Sequence, residues 1–112
     1  MQDTATKFQQ PSTSGLKPVK PWSISTQANI FRTVSDLLLV GFSVRHAIQF
    51  CETLYQPQKR DLHVINEQLH AGYTVSQTFE PFVDDQIGLQ LRLAEEHGQL
   101  TQSLGQVSRL LQ

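Results

Sequence analysis

The chain is short of cysteine and of long apolar runs, and each shortage restricts what it can be. Cys51 is the only cysteine, so no internal disulfide can form and a reducing compartment is favoured over secretion. The longest purely aliphatic run is LLLV, whereas a membrane span needs roughly 18 apolar residues. The opening MQDTATKFQQ lacks the apolar core of a secretory signal. We therefore expect these 112 residues to be soluble as given and to form one domain.

The motifs of common catalytic sites are also missing. The six glycines are scattered, and no phosphate-binding Gly-Lys-Ser/Thr triplet, Gly-x-Ser-x-Gly elbow or paired Cys-x-x-Cys occurs. A net charge of −1 provides no general attraction to nucleic acid or to anionic lipid. The sequence thus predicts neither an enzyme nor a bound cofactor, and no catalytic residue is assigned.

Residues 1–22 have the composition of a tail. The stretch QQPSTSGLKPVKPW combines Pro, Gly, Ser and Lys without an apolar period, so it cannot bury enough surface to offset its ordering entropy. Its three prolines also oppose a regular helix. We interpret 1–22 as a flexible tail, in which Trp22 could dock as a lid, and 23–112 as the folded domain.

From residue 23 onward, apolar residues recur at three- and four-residue spacing, which predicts about six helices. Ser23 or Ser25 can cap the first helix and Asp61 the third, while the short fourth helix spans about 75–79 and the fifth about 84–97. No segment alternates with period two. We expect an all-α antiparallel bundle whose inward residues include Ile30, Val34, Leu37, Leu38, Val44, Ala47, Ile48, Cys51, Leu54, Leu62, Ile65, Leu69, Ile87, Leu91, Ala94, Leu100, Leu104, Val107 and Leu111, with Leu89 and Leu93 beside the fifth helix's inner face.

A Leu-x-x-Gly-aromatic-hydroxyl-Val pattern occurs twice, in LLLVGFSV and in LHAGYTV. Each copy predicts a helix that ends at Gly41 or Gly72, an aromatic that closes the corner, and a Ser43 or Thr74 cap for the next helix. The segment EEHGQL, with Gly98, is a third and looser copy that lacks the cap. Three tight corners would fold a helical chain back on itself as an antiparallel bundle.

Two groups of reactive side chains have simple structural explanations. Cys51 falls on an apolar helical stripe, where a cysteine usually serves as a small buried hydrophobe. His63, Glu67 and His70 could share one helix face and hold a metal, but their spacing matches no standard zinc signature. A solvated face is the favoured interpretation of that spacing.

Glu95 is the most informative acidic residue. It stands near the end of the fifth helix, where a carboxylate opposes the helix dipole. The residue can be simply exposed, or it can turn inward and accept hydrogen bonds from the free N–H groups of the next helix. It could also join a cation, which makes it a weak metal candidate in a chain for which no other metal site is predicted.

Direct nucleic-acid binding is not expected, although two helices about a glycine turn could form a helix-turn-helix. The helix after Gly41 offers only Arg45 and His46, and the helix after Gly72 offers no basic residue. A recognition helix usually carries more positive charge. A small helical adaptor or DNA-binding regulator remains an alternative.

Three stretches in order, LLLVGFSVRHAIQF, INEQLHAGYTVSQTFEP and LRLAEEHGQLTQSL, resemble the cytoplasmic domain of the type II secretion F family of inner-membrane proteins, found also in type IV pilus assembly and competence. GFSVRHAIQF is most similar to the competence branch. The residues that match the family pattern are Gly41, Ser43, Ala47, Gly72, Phe79, Glu95, Gly98, Leu100 and Leu104. The departures are Thr74, Thr78, Ala94 and His97, which replace the family's Ser, Ala, Gly and Ser.

The resemblance implies a scaffold rather than an enzyme. It identifies 23–112 as the first cytoplasmic domain of a platform protein, cut before a membrane helix. The implied partners are a cytoplasmic assembly ATPase, pilin or pseudopilin subunits, and further copies of the chain. The implied location is the cytoplasmic face of the bacterial membrane, and the function is competence pilus assembly and DNA uptake, or the equivalent role in type II secretion or type IV pili.

Overall fold

Six α-helices and two single 3₁₀ turns account for most of residues 20–111, which are the residues that the computed structural model describes. No strand occurs among them, so the predicted all-α fold is confirmed. The predicted tail lies outside the described residues up to position 19. The elements are α1 (Ile24–Leu39), α2 (Val44–Leu54), a 3₁₀ turn (Gln56–Gln58), α3 (Lys59–His70), α4 (Val75–Phe79), a second 3₁₀ turn (Glu80–Phe82), α5 (Asp85–Glu96) and α6 (Leu100–Leu111).

Short polar side chains define where three of the helices begin. Ser23, Ser43 and Asp84 each accept the main-chain N–H three residues further on, at 3.2, 3.2 and 2.9 Å, which satisfies a donor that the helix itself leaves free. The predicted cap of the third helix is wrong. Because the 3₁₀ turn around Pro57 runs directly into α3, that helix begins at Lys59 and Asp61 lies in its first turn.

The core forms where α1 packs against α6 on one side and α2 on the other, with α3 to α5 closing the remaining face. The ring of Phe31 meets that of Phe79 edge-on, with centroids 5.3 Å apart. Most predicted inward positions are buried or half-buried. The exceptions are Leu54, which is 53% exposed at the end of α2, and Leu89 and Leu93 of α5, which are each 46% exposed. The largest fully buried side chains are Phe31, Phe79, Ile30, Ile48, Leu62, Ile65, Leu91 and Leu104.

Trp22 docks on the folded domain, as the sequence allowed, and it is a core residue although it was assigned to the tail. Its side chain is only 7% exposed, and its indole stacks on Phe82 with centroids 4.7 Å apart. The indole N–H donates to Asp61 Oδ2 at 3.0 Å, and the main-chain N–H donates to the Phe82 carbonyl at 2.9 Å. The prolines and lysines around Trp22 concealed this role, because the residue packs against elements far along the chain.

All three predicted corners have the same main-chain geometry. Gly41, Gly72 and Gly98 have φ of +105°, +103° and +70°, a region that favours glycine. At each corner the glycine N–H and the following N–H turn back to two carbonyls of the last helical turn, which is the Schellman arrangement. Phe42 and Tyr73 were predicted to close the corners, but both are half-exposed. The main chain closes each corner by itself, and the aromatics are left facing outward.

Gly72→Val is expected to lower the free energy of unfolding by about 1–2 kcal/mol, because a β-branched residue resists positive φ. A Cβ at this site would meet no heavy atom within 4 Å, so the cost is that of the main chain alone. Urea denaturation measures it. Gly88→Ala is the control: Gly88 is helical, its added Cβ would come only to ordinary contact with Val83, and this variant should be as stable as wild type or more so. Equal stability of the two variants would contradict the strained-corner geometry.

Candidate functional site

A shallow apolar groove lies between the C-terminal end of α1 and the exposed face of α2. Its volume is about 470 Å³, and none of the lining residues carries a formal charge when His46 is neutral. Phe42 and Phe50 contribute aromatic surface, and Phe50 is 48% exposed. The lining residues are Leu37, Phe42, His46, Gln49, Phe50 and Thr53. A neutral groove with exposed aromatic rings is suited to bind an apolar side chain of another protein.

Sequence reasoning missed this groove. It assigned Phe42 to corner closure and left Phe50 without a role. The signal was nevertheless present: residues 46, 49, 50 and 53 repeat at helical spacing on the face of α2 opposite Ala47, Ile48 and Cys51, and Phe42 lies just before the helix. An aromatic residue such as Phe50 on the face opposite the core stripe indicates either a helix surrounded by the core or a helix with a second partner. The burial of the residues distinguishes the two cases.

Glu95 joins the second and third corners. Its two carboxylate oxygens accept the N–H groups of Val75 at 2.8 Å and of Ser76 at 3.0 Å. Thr74 and Gln77 complete the set: the Thr74 hydroxyl accepts the Gln77 N–H, and the Gln77 amide oxygen accepts the Thr74 N–H. Every N–H that α4 cannot satisfy internally therefore has a partner.

The inward role expected for Glu95 is therefore present, but its partner is different. The prediction placed the receiving N–H groups on the next helix, which is α6. The structure places them on the preceding short helix, α4. Both carboxylate oxygens are already engaged by amides. Among residues 20–111, no group of three or more His, Cys, Asp or Glu is arranged to hold a metal ion.

His63, Glu67 and His70 lie on an exposed face of α3 but do not converge. The Nε2 atom of His63 lies 3.3 Å from a carboxylate oxygen of Glu67. Its Nδ1 atom lies 3.7 Å from a carboxylate oxygen of Glu52 in α2. His70 instead accepts a hydrogen bond from the Arg45 guanidinium at 3.0 Å. A cation, Arg45, thus stands beside the histidine that a metal would need.

Cys51 is fully buried, and burial raises the pKa of its thiol from 9.0 to about 12. The cause is desolvation, which disfavours the thiolate. Since the thiolate is the nucleophilic form, Cys51 lacks the electropositive, exposed setting that reactive cysteines share. Its role is that of a small hydrophobe between α2 and the rest of the core.

This burial predicts a loss of stability in alkali. The unfolded thiol ionises from about pH 9, whereas the folded thiol stays neutral up to about pH 12, so ionisation stabilises the unfolded chain in that window. Between pH 7 and pH 10, ionisation of the Cys51 thiol in the unfolded chain lowers the free energy of unfolding by about 1.4 kcal/mol. Denaturation at pH 7 and pH 10 should show this additional loss in wild type and not in Cys51→Ala. Equal losses in both proteins would contradict a buried neutral thiol.

Residues 20–111 contain no helix that is both long and apolar enough to cross a bilayer. Comparison of the chain with protein-family models finds no match. No curated protein is significantly similar to it. The functional assignment consequently depends on the motifs of the sequence and on the geometry of the surface.

Proposed function

We propose that this domain is a docking module of a platform protein of the type II secretion F family, acting in competence pilus assembly and DNA uptake. It binds the cytoplasmic assembly ATPase and pilin or pseudopilin subunits at the cytoplasmic face of the membrane, and it self-associates. The observation that carries a docking role is the neutral apolar groove at α1 and α2, which holds two exposed aromatic rings.

The order of the corners supports the family part of the proposal. The residues that carry the resemblance are the ones that build the turns: Gly41 and Gly72 have positive φ, and Ser43 and Thr74 cap the helices that follow. The third stretch provides Glu95, which ties its corner to the second one. The second and third motifs are thus joined directly, and the first builds a corner of the same kind.

The test is co-purification of the full-length protein with its cognate ATPase and major pilin. Phe50→Glu should reduce capture of one of the two partners at least about tenfold, because a carboxylate in an apolar contact is costly to desolvate. Leu110→Glu is the matched control, since Leu110 is also an exposed apolar residue but lies on α6 and outside the groove. It should capture both partners normally. Failure of the wild type to capture either partner would remove the proposal.

A gel shift with duplex DNA at several salt concentrations distinguishes the DNA-binding alternative from the platform proposal. Contacts between basic residues and phosphates release counterions, so true DNA binding weakens steeply as salt rises. A salt-sensitive shift together with negative captures would favour the regulator. We expect no change in the mobility of the DNA, since the only basic residues of α2 are Arg45 and His46.

A further inference from the structure

The chain itself carries a candidate occupant for the apolar groove. Residues 1–19 contain one aromatic residue, Phe8, in the stretch TATKFQQ. The charged residues of that segment are Asp3, Lys7 and Lys17, so the stretch around Phe8 carries little net charge. The groove is neutral and holds two exposed aromatic rings. Its chemistry therefore suits an aromatic side chain from a weakly charged segment.

The position of Trp22 determines where this segment joins the domain. The main-chain N–H of Trp22 donates to the Phe82 carbonyl at 2.9 Å, and Ser23 caps α1. The segment is therefore tethered at the N-terminal end of α1, whereas the groove lies at the C-terminal end of the same helix. The 16 residues of α1 make it about 24 Å long, so the tether and the far end of the groove are about 30 Å apart at most.

The length of chain before the tether is sufficient for Phe8 and insufficient for Leu16. Phe8 stands twelve positions before Lys20, a stretch that spans about 40 Å when fully extended. Leu16 stands four positions before Lys20 and reaches only about 14 Å, which is less than the length of α1. Phe8 can therefore reach Phe42 at the far end of α1, and Leu16 cannot.

A tethered aromatic has an advantage over a separate protein as the occupant of this groove. A segment of the same chain meets the groove at an effective concentration of roughly millimolar. Trp22 provides a precedent, because it comes from the same Pro- and Lys-rich stretch and stacks on Phe82 with centroids 4.7 Å apart. Phe42 and Phe50 are half-exposed and offer partners of the same kind.

We propose that Phe8 binds in the apolar groove of its own chain and competes with the partner that docks there. The ring of Phe8 packs against Phe42 and Phe50, and the residues between Phe8 and Lys20 span the length of α1. A partner gains access to the groove when Phe8 leaves it. The contact within the chain stands by itself, whereas its role as a competitor rests on the proposed docking function.

NMR spectroscopy of the ¹⁵N-labelled 112-residue chain tests the contact. Phe8→Ala should shift the amide signals of residues 46–53 relative to wild type and leave those of residues 101–106 in α6 unchanged. Leu16→Ala is the matched control, since it removes an apolar side chain of the same segment that cannot reach Phe42. It should leave the signals of residues 46–53 as in wild type. In a Phe50→Glu background, Phe8→Ala should no longer shift them.

The peptide acetyl-TATKFQQPS-amide supplies the same aromatic from outside the chain. It should bind Phe8→Ala saturably at residues 46–53, and bind wild type at least about twofold more weakly, because the tethered Phe8 competes. Unchanged groove signals in Phe8→Ala, or equal shifts in Leu16→Ala, would overturn the contact. Shifts that grow with chain concentration would show binding between two copies, which also overturns it.

Co-purification with the full-length protein tests the competition. Phe8→Ala should increase capture of the partner that docks in the groove at least about twofold, and Leu16→Ala should capture it as wild type does. Normal capture by wild type without a gain in Phe8→Ala would overturn the competition. A wild type that captures no partner would refute the proposed function, while the NMR comparison still decides whether Phe8 occupies the groove.

Discussion

Trp22→Ala lowers the free energy of unfolding by about 3–5 kcal/mol, the range for removing a large buried aromatic. A domain of this size has roughly 5–14 kcal/mol in total, so the loss is about a fifth of the total or more. The residue stacks on Phe82, meets Phe79 edge-on at 6.1 Å and donates its indole N–H to Asp61. Its carbonyl also accepts the side-chain amide of Gln27 at 2.8 Å. Urea denaturation followed by circular dichroism measures the change.

Trp22→Phe is the matched variant, because it keeps an aromatic ring and removes the indole N–H. It should cost clearly less than Trp22→Ala, and Asp61→Ala in the Trp22→Phe background should cost less than in wild type, since the hydrogen bond is already gone. A Trp22→Ala protein within about 0.5 kcal/mol of wild type, the usual range for a surface substitution, would restore the interpretation of Trp22 as part of the tail.

Glu95→Gln costs about 1.5–3 kcal/mol, since hydrogen bonds to a charged acceptor are stronger than those to a neutral one. A glutamine side chain has only one acceptor oxygen, and its NH₂ group would face one of the two main-chain N–H donors. One of the Val75 and Ser76 amides then loses its partner in a half-buried place. Hydrogen exchange at these two amides should accelerate together with the loss of global stability.

Glu96→Gln is the control for that variant. Glu96 is the next residue, is exposed, and accepts no hydrogen bond from residues 20–111. Its stability should stay within about 0.5 kcal/mol of wild type. If the two variants are equally stable, or if the α4 amides exchange no faster in Glu95→Gln, then Glu95 does not link the two corners.

The apolar groove and a second groove between α5 and α6 give the domain two chemically distinct surfaces. One is apolar and lies at the first corner; the other is rich in amides and lies at the third. Partners of different chemistry require different surfaces.

The helices and most of their ends were predictable from the sequence alone, the start of α3 being the exception. A cap such as Ser43 or Thr74 contacts a residue three positions away, and a corner such as Gly72 needs only the preceding helical turn. Residues this close in the chain interact before any tertiary contact forms, so their pattern predicts the local geometry. The periodic apolar residues likewise predicted most of the core, because a helix must bury its apolar stripe.

Only the tertiary structure decided which elements meet. Trp22 bonds to Asp61 across 39 positions, and Glu95 bonds to Val75 across 20. The local pattern singled out Glu95 as an inward acceptor, but it could not tell that the N–H groups it accepts belong to α4 and not to α6. The same holds for Phe50, whose surroundings depend on where α1 ends relative to α2. Long-range pairing depends on how whole helices pack together. A groove lined by residues of more than one element, such as the apolar groove, is therefore defined only by the folded chain.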